Sequence, residues 1–168
     1  MPAELAAFLE DVLRRPGAPA ALHLLGGAAV VAAYGGRRCS PQLDVPPAEA
    51  PEWAREGSGL ERKHGLCLRP AAALLPPDWR RRRRGVAGVL SGRVFAAAPE
   101  DLIISKAARY QDADRADIAA LFDAGVDRLE LIRRFRLARR LYKGDLRVLD
   151  RAFNAVLREH LGLGPFLF

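Results

Sequence analysis

A pair of glycines between an apolar run and a short aliphatic segment constrains the fold of this chain more than any other feature. The apolar run ends at Leu25, Gly26 and Gly27 follow at once, and residues 28–34 are almost entirely aliphatic. This order predicts a strand, a tight glycine turn and a helix short enough to pack against a sheet. A second strand is expected to end at residues 42–44, after a basic loop.

The chemistry of this segment indicates a binding site. A glycine turn lets the backbone approach a ligand closely, and the start of a helix favours a negative group, most often phosphate. In the second strand, alternation places Gln42 and Asp44 on one face. Two metal-holding side chains at that spacing, facing a phosphate-binding turn, are typical of a nucleotide site, although one of the two is here a glutamine.

The remaining pattern changes character near residue 99. Before it, we expect an amphipathic helix over residues 3–14, a polar loop or short helix over 46–64, a short strand at 65–69, and a hairpin of 86–90 and 93–97 around Ser91-Gly92. After it, four helices are expected: Pro99 to about Tyr110, Asp114–Ala124, Asp127 to about Tyr142, and one starting at Asp145.

These elements predict an α+β fold. A small mixed sheet with flanking helices occupies residues 1–98, and a C-terminal helical bundle, residues 99–168, packs on that core. The 168 residues suit one compact domain or a small domain with a helical extension. No apolar run approaches the length of a membrane span, and the N-terminus lacks the layout of a signal peptide, so we expect a cytoplasmic protein without a membrane partner.

The formal net charge of +7 suggests a polyanionic partner. Only three of the 27 basic residues are lysine, however, and arginine, alanine, glycine and proline are all abundant, as a GC-rich genome would produce. We therefore discount the net charge by about half as evidence for a polyanionic partner. The residues that we consider for contact with RNA are Arg80, Arg82, Arg133, Arg136, Arg140 and Lys143. Residues 133, 136, 140 and 143 share one helix face, and the alternative is a solvated face.

Three features together resemble a known family. They are the Gly26-Gly27 turn with its short helix, the segment Arg37 to Asp44 (RRCSPQLD), and the segment 99–121 (PEDLIISKAARYQDADRADIAAL). They are similar to the glycine turn, the Arg-x-Thr-x-Asp-(Ile/Leu)-Asp segment and the C-terminal helices of the minimal nucleotidyltransferases of bacterial toxin–antitoxin and abortive-infection systems. The resemblance covers most of residues 20–125.

The resemblance implies transfer of a nucleoside monophosphate from Mg²⁺-bound NTP to an RNA (tRNA) or protein acceptor, and an antitoxin-like protein partner. By this resemblance Asp44 and Gln42 stand at the two metal positions. Asp44, Gln42 and Lys106 would carry the chemistry, and seven further residues would contact the nucleotide or its phosphates: Gly26, Gly27, Ser40, Arg37, Arg109, Asp114 and Asp117.

The glutamine at position 42 leaves two alternatives open. Glutamine offers Mg²⁺ a neutral carbonyl oxygen and no charge, whereas magnesium is usually held through carboxylates and phosphates. Either the chain transfers nucleotides with a single metal and the phosphates of the NTP, or it has lost transfer activity. In the second case it acts as a module that binds a nucleotide, RNA or a partner protein.

Overall fold

A computed structural model describes residues 1–37, 40–89 and 92–168. The chain divides into two compact units. The first contains Met1–Ala73 and Arg83–Ala97, and the second contains Leu74–Arg82 and Ala98–Phe168. The predicted boundary at residue 98 thus lies next to a boundary between units, whereas segment 74–82 belongs with the helices and not with the sheet.

The first unit combines helices and strands. Its helices are α1 (Ala3–Arg14), α2 (Gly26–Ala33) and α3 (Gly59–His64), and its strands are β1 (Leu22–Leu24), β2 (Gln42–Val45), β3 (Cys67–Pro70), β4 (Arg84–Gly85) and β5 (Val94–Ala96). Short 3₁₀ turns cover Pro47–Glu49 and Glu52–Ala54. The predicted first helix, both strands around the glycine pair, and a short helix within 46–64 are all confirmed.

The strands form two sets. β5 pairs in parallel with β1 and antiparallel with β4, while β2 pairs in parallel with β3. The backbone N–H of Leu25 donates to the carbonyl oxygen of Asp44 over 2.8 Å, which ties the end of β1 to β2. The sheet is therefore small and mixed, as predicted. The predicted hairpin is correct in its second strand and wrong in its first: residues 84–85, and not 86–90, pair with 95–96. Leu90 and Ser91 lie outside the described residues.

Burial in the first unit explains why these elements form. α1 buries Leu5, Phe8, Leu9, Val12 and Leu13, the stripe that its sequence period predicts. The short helix α2 is apolar on all sides and buries Ala28, Ala29, Val30 and Val31. The hydroxyl of Tyr34, at its C-terminal end, donates to the carbonyl oxygen of Ala97 over 2.7 Å. These contacts fix the start of α2 beside the end of β1, where the candidate site lies.

The second unit is helical. It contains α4 (Pro99–Ala107), α5 (Asp112–Asp123), α6 (Arg128–Arg139) and α7 (Leu146–Leu161), preceded by a 3₁₀ turn at Trp79–Arg82. Pro99 occupies the first turn of α4, and the side chains of Asp127 and Asp145 cap α6 and α7 by accepting backbone N–H groups. Its core includes Phe135 and Phe153, whose rings stack with centroids 3.7 Å apart.

All four predicted C-terminal helices are thus present, with ends that differ by a few residues. α4 and α6 each end three residues before the predicted positions, 110 and 142, and α5 starts two residues before Asp114. None of the helices within the described ranges is long and apolar enough to cross a membrane.

Candidate functional site

Gly26 and Asp44 meet at the start of α2. A Cβ atom added to Gly26 would lie 2.6 Å from Oδ2 of Asp44, so only glycine leaves room for the carboxylate. Gly26 also has a φ of +55°, in the left-handed region that favours glycine. The two glycines are the first residues of α2 and do not form a separate turn before it, but Gly26 lies against Asp44 of the second strand, as the sequence predicts.

Arg69 is the cation that Asp44 and Gln42 hold. Strands β2 and β3 run in parallel with Asp44 opposite Arg69 in the register. Nε of Arg69 donates to Oδ1 of Asp44 over 2.6 Å, and Nη1 donates to Oε1 of Gln42 over 2.8 Å. The Asp44 side chain is 15% exposed and that of Arg69 is 46% exposed. A single guanidinium thus bridges the two side chains that the resemblance assigns to metal.

The N-terminal end of α2 adds a second positive influence. Its first turn contains no acidic residue, and the side chain of its N-cap residue, Leu25, makes no capping hydrogen bond. The first amides of a helix point out of it and carry a partial positive charge. Gly26 and Gly27 are partly exposed at this end. The arrangement favours a negatively charged group there, whether it is the carboxylate of Asp44 or a bound anion.

Of the other predicted residues, Ser40 makes a local contact at this site. The hydroxyl of Ser40 accepts the backbone N–H of Gln42 over 3.2 Å, a turn contact at the entry to β2. Arg37 is exposed. Nε2 of Gln42 donates to Oε2 of Glu56 over a long 3.5 Å, which brings a further acid to the edge of the site.

These side chains do not fit a magnesium ion. Magnesium prefers near-octahedral oxygen ligands and usually carboxylates. Here the oxygens of Asp44 and Gln42 accept from a guanidinium, which carries a permanent charge and has only donors. Within the part of the chain that the structure describes, no group of three or more His, Cys, Asp or Glu side chains could hold a metal.

Lys106, Arg109, Asp114 and Asp117 form a separate cluster in the helical unit. Lys106 is 2% exposed, and its ammonium group lies 2.5 Å from Oδ2 of Asp117 and 3.5 Å from Oδ1 of Asp114. Arg109 donates to both oxygens of Asp114 over 2.7 and 3.0 Å. The cluster joins the end of α4 to the start of α5, and each charge has an opposite partner.

Asp114 holds this cluster together. It accepts the backbone N–H of Gln111 and completes a capping box at the start of α5. Burial alone would raise the pKa of Asp114, but the hydrogen bonds from Arg109 and Gln111 and the charge of Lys106 hold that pKa below its usual value. The carboxylate is therefore ionised at neutral pH. This geometry gives Lys106 a structural role, and its predicted contact with phosphate stays a prediction.

The six residues considered for RNA fall into two groups. Arg82 contacts Glu100 and Glu130, Arg133 contacts Glu130, and Arg80 stacks over the Trp79 ring at 4.6 Å. Arg136 lies in α6, Arg140 is the residue that caps its C-terminal end, and Lys143 lies beyond the helix, so the predicted common helix face does not extend to Lys143. All three residues are exposed, and together they make up the exposed basic stripe.

Sequence reasoning missed the two arginines that organise the charges. Arg69 is the last residue of the strand predicted at 65–69, but no local signal in the sequence shows which residue of β3 lies opposite Asp44. Arg134 is fully buried and donates to both oxygens of Asp101 and to Asp78. The one available signal for Arg134 is its position between Leu131 and Phe135 or Ala138 on the buried face of α6.

Comparisons with protein-family models, curated proteins and solved structures gave no match to this chain. The class that fold and site define is therefore limited to a mixed α/β protein with a small sheet and seven helices in the described residues.

Proposed function

We propose that this chain is a nucleotidyltransferase-like protein that binds a nucleotide through its phosphates at the start of α2. The observation that carries the proposal is the packing of Gly26 against Asp44, which joins the glycine turn to the strand segment that the resemblance assigns to the nucleotide. The first turn of α2 contains no acidic residue of its own, which supports an anion at this place. The proposed activity is binding, because the residue at position 42 supplies no negative charge.

The experiment compares two glycine-to-aspartate variants. Gly27→Asp adds a carboxylate to the first turn of α2, where it repels phosphate but is compatible with the helix dipole. Gly59→Asp makes the same change in the first turn of α3, where a new Cβ atom meets only the end of Arg62 at 3.8 Å. We expect ATP, GTP, CTP or UTP to raise the melting temperature of the wild type and of Gly59→Asp, and not that of Gly27→Asp.

The outcomes separate clearly. If no nucleotide shifts the melting temperature of the wild type at high excess, binding of this kind is excluded. An equal shift in Gly27→Asp and Gly59→Asp would place the nucleotide elsewhere. Circular dichroism of both variants, without ligand, provides the control for folding.

Transfer activity is a second candidate, favoured by the partial exposure of the Asp44 carboxylate at the glycine turn. Incubation with each α-labelled NTP, Mg²⁺ or Mn²⁺, and total tRNA tests it, with tRNA and the protein itself as acceptors. Label on either acceptor would support a transferase. The absence of label under all conditions, including in the Gln42→Asp variant, would leave the binding function alone.

Contact with RNA through the helical unit is a third candidate, favoured by the exposed stripe of Arg136, Arg140 and Lys143. Replacing all three with glutamine should weaken tRNA binding uniformly across sequences and reduce the salt dependence, by about 0.7 in slope per lost phosphate contact on single strands. Unchanged binding would remove this face from consideration. The antitoxin-like partner stays a prediction from the resemblance, which co-purification with the product of a neighbouring gene would test.

A further inference from the structure

The side chains of Gln42, Asp44 and Arg69 project from neighbouring parallel strands. Gln42 and Asp44 lie on one face of β2 because they are two residues apart, and Arg69 lies opposite Asp44 in β3. The guanidinium reaches both, through Nε to Asp44 and Nη1 to Gln42. Asp44 and Gln42 therefore present their oxygens to one shared cation, and that cation belongs to the chain.

This arrangement opposes a divalent ion in two ways. Oδ1 of Asp44 and Oε1 of Gln42, one oxygen from each side chain, already accept hydrogen bonds of 2.6 and 2.8 Å from the guanidinium fork, and Oδ2 of Asp44 packs against Gly26. Arginine also keeps its charge at every pH that a folded protein experiences, so an ion beside it would meet an undiminished positive charge. A lysine could lose its proton or swing aside, whereas the planar fork is held by two acceptors at once.

We infer that the guanidinium of Arg69 takes the place of a metal ion, so that this site binds a phosphate-bearing ligand without a divalent cation. The inference rests on the proposed function for the identity of the ligand. It concerns the cation of that site, however, and the exclusion of a metal can be tested without any nucleotide. The expected ligands are therefore nucleotides without a bound metal ion, whose phosphates would contact the backbone amides in the first turn of α2.

The first arm of the test measures Mn²⁺ binding by electron paramagnetic resonance, with Mn²⁺ alone as the probe. Wild-type protein should bind no Mn²⁺ at this site. The double variant Gln42→Asp with Arg69→Ala restores two carboxylates and removes the guanidinium, so its Mn²⁺ affinity should exceed that of the wild type on the order of tenfold or more. Gln42→Asp with Arg69→Lys keeps a positive charge and should gain much less.

The control for a changed charge is Arg14→Gln. Arg14 forms an exposed ion pair with Glu10 on α1, with 64% of its side chain exposed, and it lies in the same unit. This variant should bind Mn²⁺ as weakly as the wild type. Mn²⁺ binding by the wild type that Asp44→Asn abolishes would overturn the inference, and so would equal Mn²⁺ affinity in the wild type and the Arg69→Ala double variant.

The second arm measures ATP binding by isothermal titration calorimetry, with Mg²⁺ and then with excess EDTA. We expect the affinity in EDTA to equal or exceed that in Mg²⁺, and we expect Arg69→Ala to lose affinity in EDTA. ATP binding that requires Mg²⁺ would overturn the inference. If ATP binds in neither condition, the proposed function fails, while the Mn²⁺ arm still decides whether Arg69 excludes a metal. Circular dichroism shows whether each variant is folded.

Discussion

Replacing Asp101 with asparagine should destabilise the helical unit strongly. Both side chains of the Arg134–Asp101 pair are 0% exposed, and Arg134 donates to the two oxygens of Asp101 over 2.8 and 2.9 Å. Its remaining nitrogen donates to Asp78, which is 45% exposed. Asparagine removes the charge and turns one acceptor into a donor that faces the guanidinium. The buried guanidinium of Arg134 then keeps only one of its two carboxylate partners, Asp78. We therefore expect the free energy of unfolding to fall by about 3–5 kcal/mol.

The chain contains a matched control for this variant. Arg139 also donates to both oxygens of an aspartate, Asp150, over 2.7 and 2.8 Å, but these side chains are 25% and 23% exposed. Asp150→Asn makes the same chemical change at a similar pair that water can reach. Exposed ion pairs stabilise a protein by up to about 1 kcal/mol, so the free energy of unfolding of Asp150→Asn should fall by that much or less.

Urea unfolding, followed by tryptophan fluorescence, measures the difference. Trp79 lies in the helical unit and Trp53 in the other, so a Trp53→Phe background reports on the helical unit alone. Asp101→Asn should lower the midpoint on the order of 2 M, and Asp150→Asn by less than about 0.5 M. Equal midpoints for the two variants would refute the reasoning, because burial is the main difference between the pairs.

A double replacement distinguishes the net contribution of the Arg134–Asp101 pair to stability from the cost of leaving one buried charge without its partner. Arg134→Met with Asp101→Leu removes both buried charges of this pair, and Asp78 stays in contact with water. Such exchanges are often neutral or stabilising, so the double variant should recover most of the stability that Asp101→Asn loses. A double variant as unstable as Asp101→Asn would show that the ion pair itself stabilises the unit.

Three further predictions concern the first unit. Gly26→Ala should cost about 1–3 kcal/mol in urea unfolding, because the new Cβ meets a carboxylate oxygen at a positive φ. Gly59→Ala, whose new Cβ meets only the end of Arg62 at 3.8 Å, should cost nothing measurable. Burial and the nearby charge of an acid raise the pKa of Cys67 to about 11, so in a Cys39→Ser background iodoacetamide should alkylate the folded protein about a hundredfold more slowly than the unfolded protein. Hydrogen bonds from two side chains of α3 lower the pKa of Asp11 to about 2. The ionised Asp11 therefore stabilises the fold fully above the unfolded pKa of 3.8, and this stabilisation is lost as the pH falls towards 2. Asp11→Asn should consequently melt at a lower temperature than the wild type at pH 6, and the difference should be much smaller at pH 2.

Local signals in the sequence are sufficient for the helices, to within a few residues, but not for the first strand of the hairpin, which lies at residues 84–85 and not at 86–90. The stripe from Leu5 to Leu13 predicts α1 because a helix must turn those side chains to one side. Asp127 and Asp145 predict the starts of α6 and α7 because an aspartate before a helix accepts its first N–H groups. The predicted end of α4 lies three residues too far along the chain, because no glycine or proline follows Ala107 to mark the end of the helix.

The charges of the candidate site could be predicted only in part. The spacing of Gln42 and Asp44 fixes their common face, but the residue that lies opposite them depends on how β3 aligns with β2. A shift of one residue in that register would replace Arg69 with Leu68 or Pro70 and move the guanidinium to the other face. The role of Lys106 depends in the same way on tertiary structure, because α5 brings Asp114 and Asp117 beside it.

The net charge of +7 therefore describes the partner of this chain less well than the distribution of its arginines does. In the part of the chain that the structure describes, seven arginines contact carboxylates within their own units: Arg14, Arg69, Arg82, Arg109, Arg133, Arg134 and Arg139. These pairs leave the net charge unchanged, but they screen each of those arginines at short range and hold several of them away from solvent. A polyanion approaching the helical unit would meet the exposed stripe of Arg136, Arg140 and Lys143. A substitution within the paired set should consequently change stability more than affinity, and a substitution within the stripe should do the reverse.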